Sequence, residues 1–268
     1  MLVMTAAVAP TSAKGKPRSS NPAFLGVGMQ DAGTIGPCEI GTVTKDSGAQ
    51  VAGLRAGDVF VAIDGTAVGS CDSVITLIQT HEPGDLTKIE VRRGGVSTTI
   101  PAKLLSRAEV MRQRFVGQPI PMTTLIRVDD LTAGDLSSRG KTTIVGWFDQ
   151  KNCVGCETVF GSIAQWQKKT RSAISVLGAT AGDIRKSVPE NLETLKQYQR
   201  GLDVPLLVAD QDTFADLAIT DPDRIHFMVI DCRGVVQYAA PLAPEADDTA
   251  AVLDELYAAA EQASRRLK

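Results

Sequence analysis

The chain has 268 residues, 43% of them hydrophobic and 22% charged, which is enough globular polymer for two domains of ordinary size and excludes a disordered chain. A formal net charge of −3, with no lysine or arginine cluster recurring along a face, argues against nucleic acid as a partner. No apolar run approaches the roughly 20 residues that cross a bilayer.

The opening "MLVMTAAVAPTSA" is apolar and ends in small residues, yet lacks a basic start. Residues 1–21 therefore read as a signal remnant or a disordered tail, with "KGKPRSSNP" as linker. The first strand pattern is "AFLGVGMQ", and "CEIGTVTKDSGA" is a strand ending in a Ser-Gly turn. In "VAGLRAGDVFVAIDGTAV", Gly53 and Gly57 mark turns, Val59 to Ile63 a strand, and Asp64-Gly65 a hairpin signal. "SCDSVITLIQTHEPGD" reads as a short helix capped by Cys71 or Asp72, with Ile75 and Ile78 on one face and Pro83-Gly84 as its stop. "LTKIEVRRGGVSTTIPAKL" is a hairpin around Gly94-Gly95. Many short strands with one or two helices predict a small, partly open β-barrel over residues 22–105.

Taken together, "FLGVG", "AGLRAGDVFVAIDGTAV", "PGD" and "VRRGG" resemble a PDZ domain, of the type carried by bacterial high-temperature-requirement proteases. The resemblance implies that Phe24, Leu25, Gly26 and Val27 form the loop that binds a peptide's terminal carboxylate through backbone N–H groups. The peptide would then add a strand to the sheet edge, with Ile75 and Ile78 opposite. The helix start carries no histidine, so an apolar C-terminal side chain is the expected ligand. Gly53, Gly57 and Asp58 read as scaffold.

"LSRAEVMRQRFVGQP" reads as a short helix or exposed connector, with residues 106–116 as the interdomain linker. "PMTTLIRVDDLTAGDLSSRGK" suggests a strand pair, and the β-branched "TTIVGWF" a central buried strand. "VGCETVFGSIAQWQKKT" is helical, with Val159, Ile163 and Trp166 on one stripe. Next come the strand "AISVLGAT" and the helix "VPENLETLKQYQRG", which has Pro189 in its first turn and Gly201 as its stop. The strand "VPLLVAD" and the short helix "DTFADLAI" follow. A hairpin, "HFMVID" to "GVVQYAA", turns at Cys232-Arg233-Gly234, and "DDTAAVLDELYAAAEQASRRLK" is a terminal helix. The order predicts an α/β sheet covered on both faces.

"GQPIP", "SSRGKTTIVGWF", "CVGC", "VPLLVADQDTFADLAI" and "FMVIDCRGVV" resemble the thioredoxin fold, in particular the cytochrome-maturation reductases and their peroxiredoxin relatives. Residues 117–268 are thus expected to form a thioredoxin-like domain. The resemblance implies a redox centre at Cys153 and Cys156, at the strand-to-helix junction.

A zinc site at that pair is not expected, nor any other metal or cofactor. Zinc needs about four ligands, and Cys38, Cys71, Cys232, His81 and His226 are not paired at ligand spacing. Near a helix N-terminus the unpaired N–H groups and the helix dipole favour a thiolate at Cys153, and Cys156 can close a bond to it with little backbone movement. Cys153 is then the nucleophile and Cys156 the resolving thiol. A peroxidase is disfavoured, because Gln150 stands where that family has threonine or serine and no proline lies between Pro121 and the cysteines.

Three positions depart from the reductase pattern. Asn152 replaces tryptophan, Trp147 takes the place of a buried carboxylate or amide with Asp149 displaced, and Ile225 stands where a cis-proline faces the dithiol. A cis bond before isoleucine would cost about 3–4 kcal/mol, so a trans peptide, or a turn supplied by Pro222, is expected. Cys232 reads as a surface residue and His226 as a packed one. Cys38 and Cys71 approach each other in such a domain, and the sequence leaves open whether they pair.

The resulting expectation is an extracytoplasmic, periplasmic thiol-disulfide oxidoreductase, tethered to a membrane if a segment precedes Met1. Its partners would be protein thiol or disulfide clients, C-terminal peptides at the PDZ groove and an upstream redox partner. The alternative is a binding adaptor whose second domain has lost catalysis.

Overall fold

The computed structural model describes residues 19–31, 37–121, 123–136, 140–170, 174–182, 190–210, 212–213 and 223–265. Residues 1–18, Pro189, Pro222 and most of "DTFADLAI" lie outside them, and so do the expectations placed there.

In the N-terminal half, a six-stranded sheet contains β2 (Val27–Asp31), β3 (Cys38–Val43), β4 (Val59–Ile63), β6 (Leu86–Arg93) and β7 (Val96–Lys103) in spatial order, with β5 (Thr66–Ala67) paired to β4. β1 (Ala23–Phe24) pairs separately with β8 (Leu105–Ser106). Two helices, α1 (Gly48–Ala52) and α2 (Cys71–Gln79), complete this half. Strand alternation sends Ile40, Phe60, Ile89 and Val91 inward, where they meet Leu25, Val74 and Ile78. The cap of α2 is Ser70, not Cys71 or Asp72. Its hydroxyl accepts from the Ser73 N–H, and the Ser73 hydroxyl accepts from the Ser70 N–H.

Two polar features fix this half. The Asp58 carboxylate is buried and receives Nε and Nη2 of Arg93, each at 2.7 Å, with the Arg55 N–H at 2.9 Å. The Arg93 hydrogen bond holds the Asp58 carboxyl below its ordinary pKa. Asp58 is therefore scaffold, as its sequence context indicates. Cys38 and Cys71, whose pairing the sequence leaves open, are bonded to each other, with Cα atoms 4.8 Å apart. The bond ties β3 to the first residue of α2.

The segment 106–116 is a helix, α3 (Arg107–Phe115), capped by Ser106 and Glu109. It is no exposed connector. Met111 and Phe115 enter a core with Trp147, Leu177, Met228 and Ala239.

The second sheet runs β14 (Val236–Leu242), β13 (Ile225–Ile230), β10 (Thr142–Phe148), β11 (Ile174–Ala181), β12 (Leu206–Ala209), β9 (Leu125–Arg127). β10, β11 and β12 are parallel, while β13, β14 and β9 run antiparallel to their neighbours. Every residue of β10 is buried, as its continuous apolar pattern requires. α4 (Cys156–Thr170), α5 (Leu192–Leu202) and α6 (Thr249–Arg265) supply Ile163, Leu195, Leu202 and Leu256 to the core on one face. α3 covers the other. Gly201 does not stop α5, which ends one residue later with Asp203 in the left-handed region at φ 58°.

Candidate functional site

Cys153 lies in the turn between β10 and α4, Cys156 opens α4, and the two are bonded to each other with Cα atoms 5.7 Å apart. Asp149 shapes the turn that carries them. Its carbonyl accepts the N–H of Cys153 at 3.0 Å, and its carboxylate accepts the Lys151 N–H at 2.8 Å and Nδ2 of Asn152 at 2.7 Å. Gly155 has φ +82°, and a Cβ there would come within 3.0 Å of Pro244, so both backbone and space select glycine.

The two sulfurs are not equivalent. Cys156 is the first residue of α4 and only 1% exposed, within the core that includes Phe148, Phe160 and Ile225. Cys153 is half-buried at the edge of that core, and Val154 beside it is 70% exposed. An attacking thiolate needs access and a resolving one does not.

Trp147 does not face the dithiol. It belongs to the core beneath α3, whereas Phe148 shares the core of Cys156, and adjacent strand residues point to opposite faces. Carboxylates do lie near the turn that holds the two cysteines. The Tyr198 hydroxyl is pushed up to about 12 by burial and then by the charges of Glu157 and Asp149. The Arg224–Ile225 peptide is not cis, since no cis bond occurs among the described residues. Cys232 is free and half-buried in its turn.

His226 pairs with Trp147 across β13 and β10 and is 1% exposed. Neither ring nitrogen finds a hydrogen-bond partner among the described residues. Burial, then the charges of Arg107 and Arg224, push it down to about 3. The unfolded chain therefore takes up a proton there below about pH 6.5 that the folded chain refuses, so stability is lost as pH falls from about 6.5 toward 3. Wild type is expected to lose roughly 1.4 kcal/mol per pH unit more than His226→Leu between about pH 6 and pH 4.5. Urea unfolding at several pH values checks this, and parallel slopes would refute it.

In the N-terminal half, the stretch Phe24 to Val27 makes a tight loop into β2. The Leu25 carbonyl accepts the Ala49 N–H at 2.9 Å, and the Gly26 carbonyl accepts the Thr44 N–H at 2.9 Å and the Ser47 hydroxyl at 3.3 Å. Gly26 has φ +90°, and a Cβ there would overlap Ser47. Among the described residues β2 is the sheet edge, paired with β3 on one side. Leu25 and Ile78 are buried, Val27 is half-buried, and Ile75 is 44% exposed. Phe24 lies apart from them, under the Arg107 guanidinium at 3.9 Å. The Cys38–Cys71 bond at the N-terminus of α2 belongs to the same surroundings.

Residues 23–104 match the PDZ domain family model, and this part of the chain is a PDZ domain. No curated protein matches the chain. Among solved structures, an HtrA-type protease AlgW with decapeptide is 23% identical, with TM-score 0.31, over 32% of this chain and 30% of that one. The HtrA3 PDZ domain bound to a phage-derived ligand (FGRWV) is 19% identical, with TM-score 0.29, over 32% of this chain and 88% of that one. A solution structure from Bacteroides thetaiotaomicron, described as a candidate protein disulfide isomerase, is 21% identical, with TM-score 0.38, over 53% of this chain and 87% of that one. This chain thus spans less than a third of the AlgW protease, and the PDZ assignment rests on the family model.

Proposed function

We propose that the protein is a thiol-disulfide oxidoreductase with a thioredoxin-like second domain, and that its PDZ domain recruits clients by their C-termini. The observation that carries the reading is the unequal placement of the two cysteines at a strand-to-helix junction, Cys153 accessible and Cys156 sealed. The Cys153 thiolate attacks one sulfur of a client disulfide. The S–S bond breaks, and the other client sulfur leaves as a thiolate and takes a proton. Cys156 then loses its proton and attacks Cys153, releasing the reduced client and forming the Cys153–Cys156 bond. Two electrons pass to the client, and an external dithiol restores the pair. Glu157 and Asp149 place negative charge near a thiolate that the α4 N-terminus favours. That balance suits a reductant or exchanger better than a strong oxidant, whose reduced form is stabilised.

Ile225 in a trans peptide and Asn152 beside Cys153 favour a second reading, a PDZ adaptor without exchange activity. Insulin reduction by dithiothreitol separates the two. The first reading expects the full chain to accelerate it at catalytic concentrations, and the second expects the uncatalysed rate.

We also propose an extracytoplasmic, periplasmic location. The structural Cys38–Cys71 disulfide fits an oxidising compartment. Fractionation of the native host is expected to recover the protein outside the cytosol, and cytosolic protein with both CxxC thiols reduced would contradict it.

A further inference from the structure

The two halves of the chain are joined by a packed helix and by contacts at its base. β8 passes directly into α3 at Ser106, and α3 is anchored in the core of the second sheet. Asp248, just before α6, accepts the Ser20 N–H at 2.9 Å, the Ser20 hydroxyl at 2.7 Å and the Ser19 hydroxyl at 3.0 Å. Asn21 Oδ1 accepts the Ala108 N–H at 3.2 Å. A segment pinned this way before β1 and after β8 does not let the PDZ domain swing as a tethered module.

The fixed orientation encloses a cleft of about 750 Å3. Thr76 and Gln79 of α2 and its C-cap Thr80 line it, and so do Asn152 and Val154, the two residues flanking Cys153. These α2 residues lie beside Ile75 and Ile78 around the helix, so the apolar side of α2 is left to the PDZ groove. One helix thus serves two sites.

We infer that this cleft is the substrate site of the dithiol, with α2 of the PDZ domain as one wall, and that its occupant is an extended polypeptide segment carrying the client cysteine. The inference rests on the exchange reading above. The volume lies within the roughly 300–1,000 Å3 of ligand clefts. The hydroxyls of Thr76 and Thr80 donate to the Asp72 and Leu77 carbonyls and Nδ2 of Asn152 donates to Asp149, so what these side chains present to a peptide backbone is acceptor oxygen for its N–H groups, and the exposed Val154 offers apolar contact next to the reacting sulfur. A small disulfide needs only Cys153 and makes little use of the α2 wall.

The test compares insulin with cystamine as disulfide substrates of the full chain and of Thr76→Trp. Thr76 is exposed on the helix surface, so the larger side chain narrows the cleft without entering a core. The kcat/KM for insulin is expected to fall roughly tenfold further than that for cystamine, mainly through KM, and Thr80→Trp is expected to repeat the pattern. Equal losses on both substrates, or no loss in either variant, would overturn the inference. A second readout does not need turnover. After reduction, Cys153 is alkylated by iodoacetamide and by a polypeptide-linked maleimide. The tryptophan variants are expected to slow the second reagent selectively, and an unchanged ratio overturns the inference. Absence of turnover in wild type would instead overturn the exchange reading, with the alkylation ratio still deciding whether α2 walls the cleft.

Discussion

Cys153→Ser is expected to lower the rate of insulin disulfide reduction at least ~100-fold, because the first bond-forming step loses its nucleophile. Serine is close in size to cysteine, and Cys153 is half-buried at the margin of the core, so the fold should persist. Cys156→Ser should behave differently. It leaves the attacking sulfur in place and removes the group that resolves the mixed disulfide. Turnover falls, while the first step continues and the client accumulates covalently attached. Iodoacetamide mapping of the reduced wild type at neutral pH should find Cys153 modified faster, since Cys156 is 1% exposed. Faster modification of Cys156 would reverse the roles assigned to the two residues.

The second large effect concerns the peptide groove. Free-carboxylate peptides with an apolar C-terminal residue are expected to bind the full chain with micromolar Kd, near −8 kcal/mol. The loop at Leu25 and Gly26 spends its carbonyls on Ala49, Thr44 and Ser47, which leaves its amide side to receive a carboxylate. β2 offers an edge for strand addition, where each backbone hydrogen bond contributes about 0.5–1.5 kcal/mol net and ordering the peptide offsets part of that gain. Hydrogen bonds to a charged group are worth about 1.5–3 kcal/mol. Amidation of the peptide should therefore weaken binding roughly tenfold or more. Equal binding of free and amidated peptides would show that Phe24 to Val27 is not a carboxylate loop. Gly26→Val should abolish binding as well, because its φ of +90° and the nearby Ser47 side chain leave no room for a Cβ.

The strands and most helices were legible because each carries its own period. β10 reads as buried from "TTIVGWF" alone, and α4 from its stripe of Val159, Ile163 and Trp166. α3 was harder. "RAEVMRQRF" carries four charged residues, which suggests an exposed connector, but Met111 and Phe115 reach the core from one side while the charged positions occupy the rest of the helix surface. The cap of α2 was misplaced by one or two residues because Ser70, Cys71 and Asp72 adjoin and only the hydrogen-bond geometry distinguishes them. The pairing of Cys38 with Cys71 depends on how α2 crosses β3, and a sequence separation of 33 carries no local signal of it. The side of β10 that faces the dithiol was also hidden, since a shift of one residue exchanges Trp147 for Phe148. The cleft beside Val154 draws on residues from both halves, so no single motif announces it.

The most direct test of disulfide exchange at Cys153 is covalent trapping. Full-length Cys156→Ser, reduced and then mixed with oxidised insulin, is predicted to give one stable mixed disulfide, located by peptide mapping at Cys153. No adduct, or an adduct only at Cys232 or Cys71, would contradict the account.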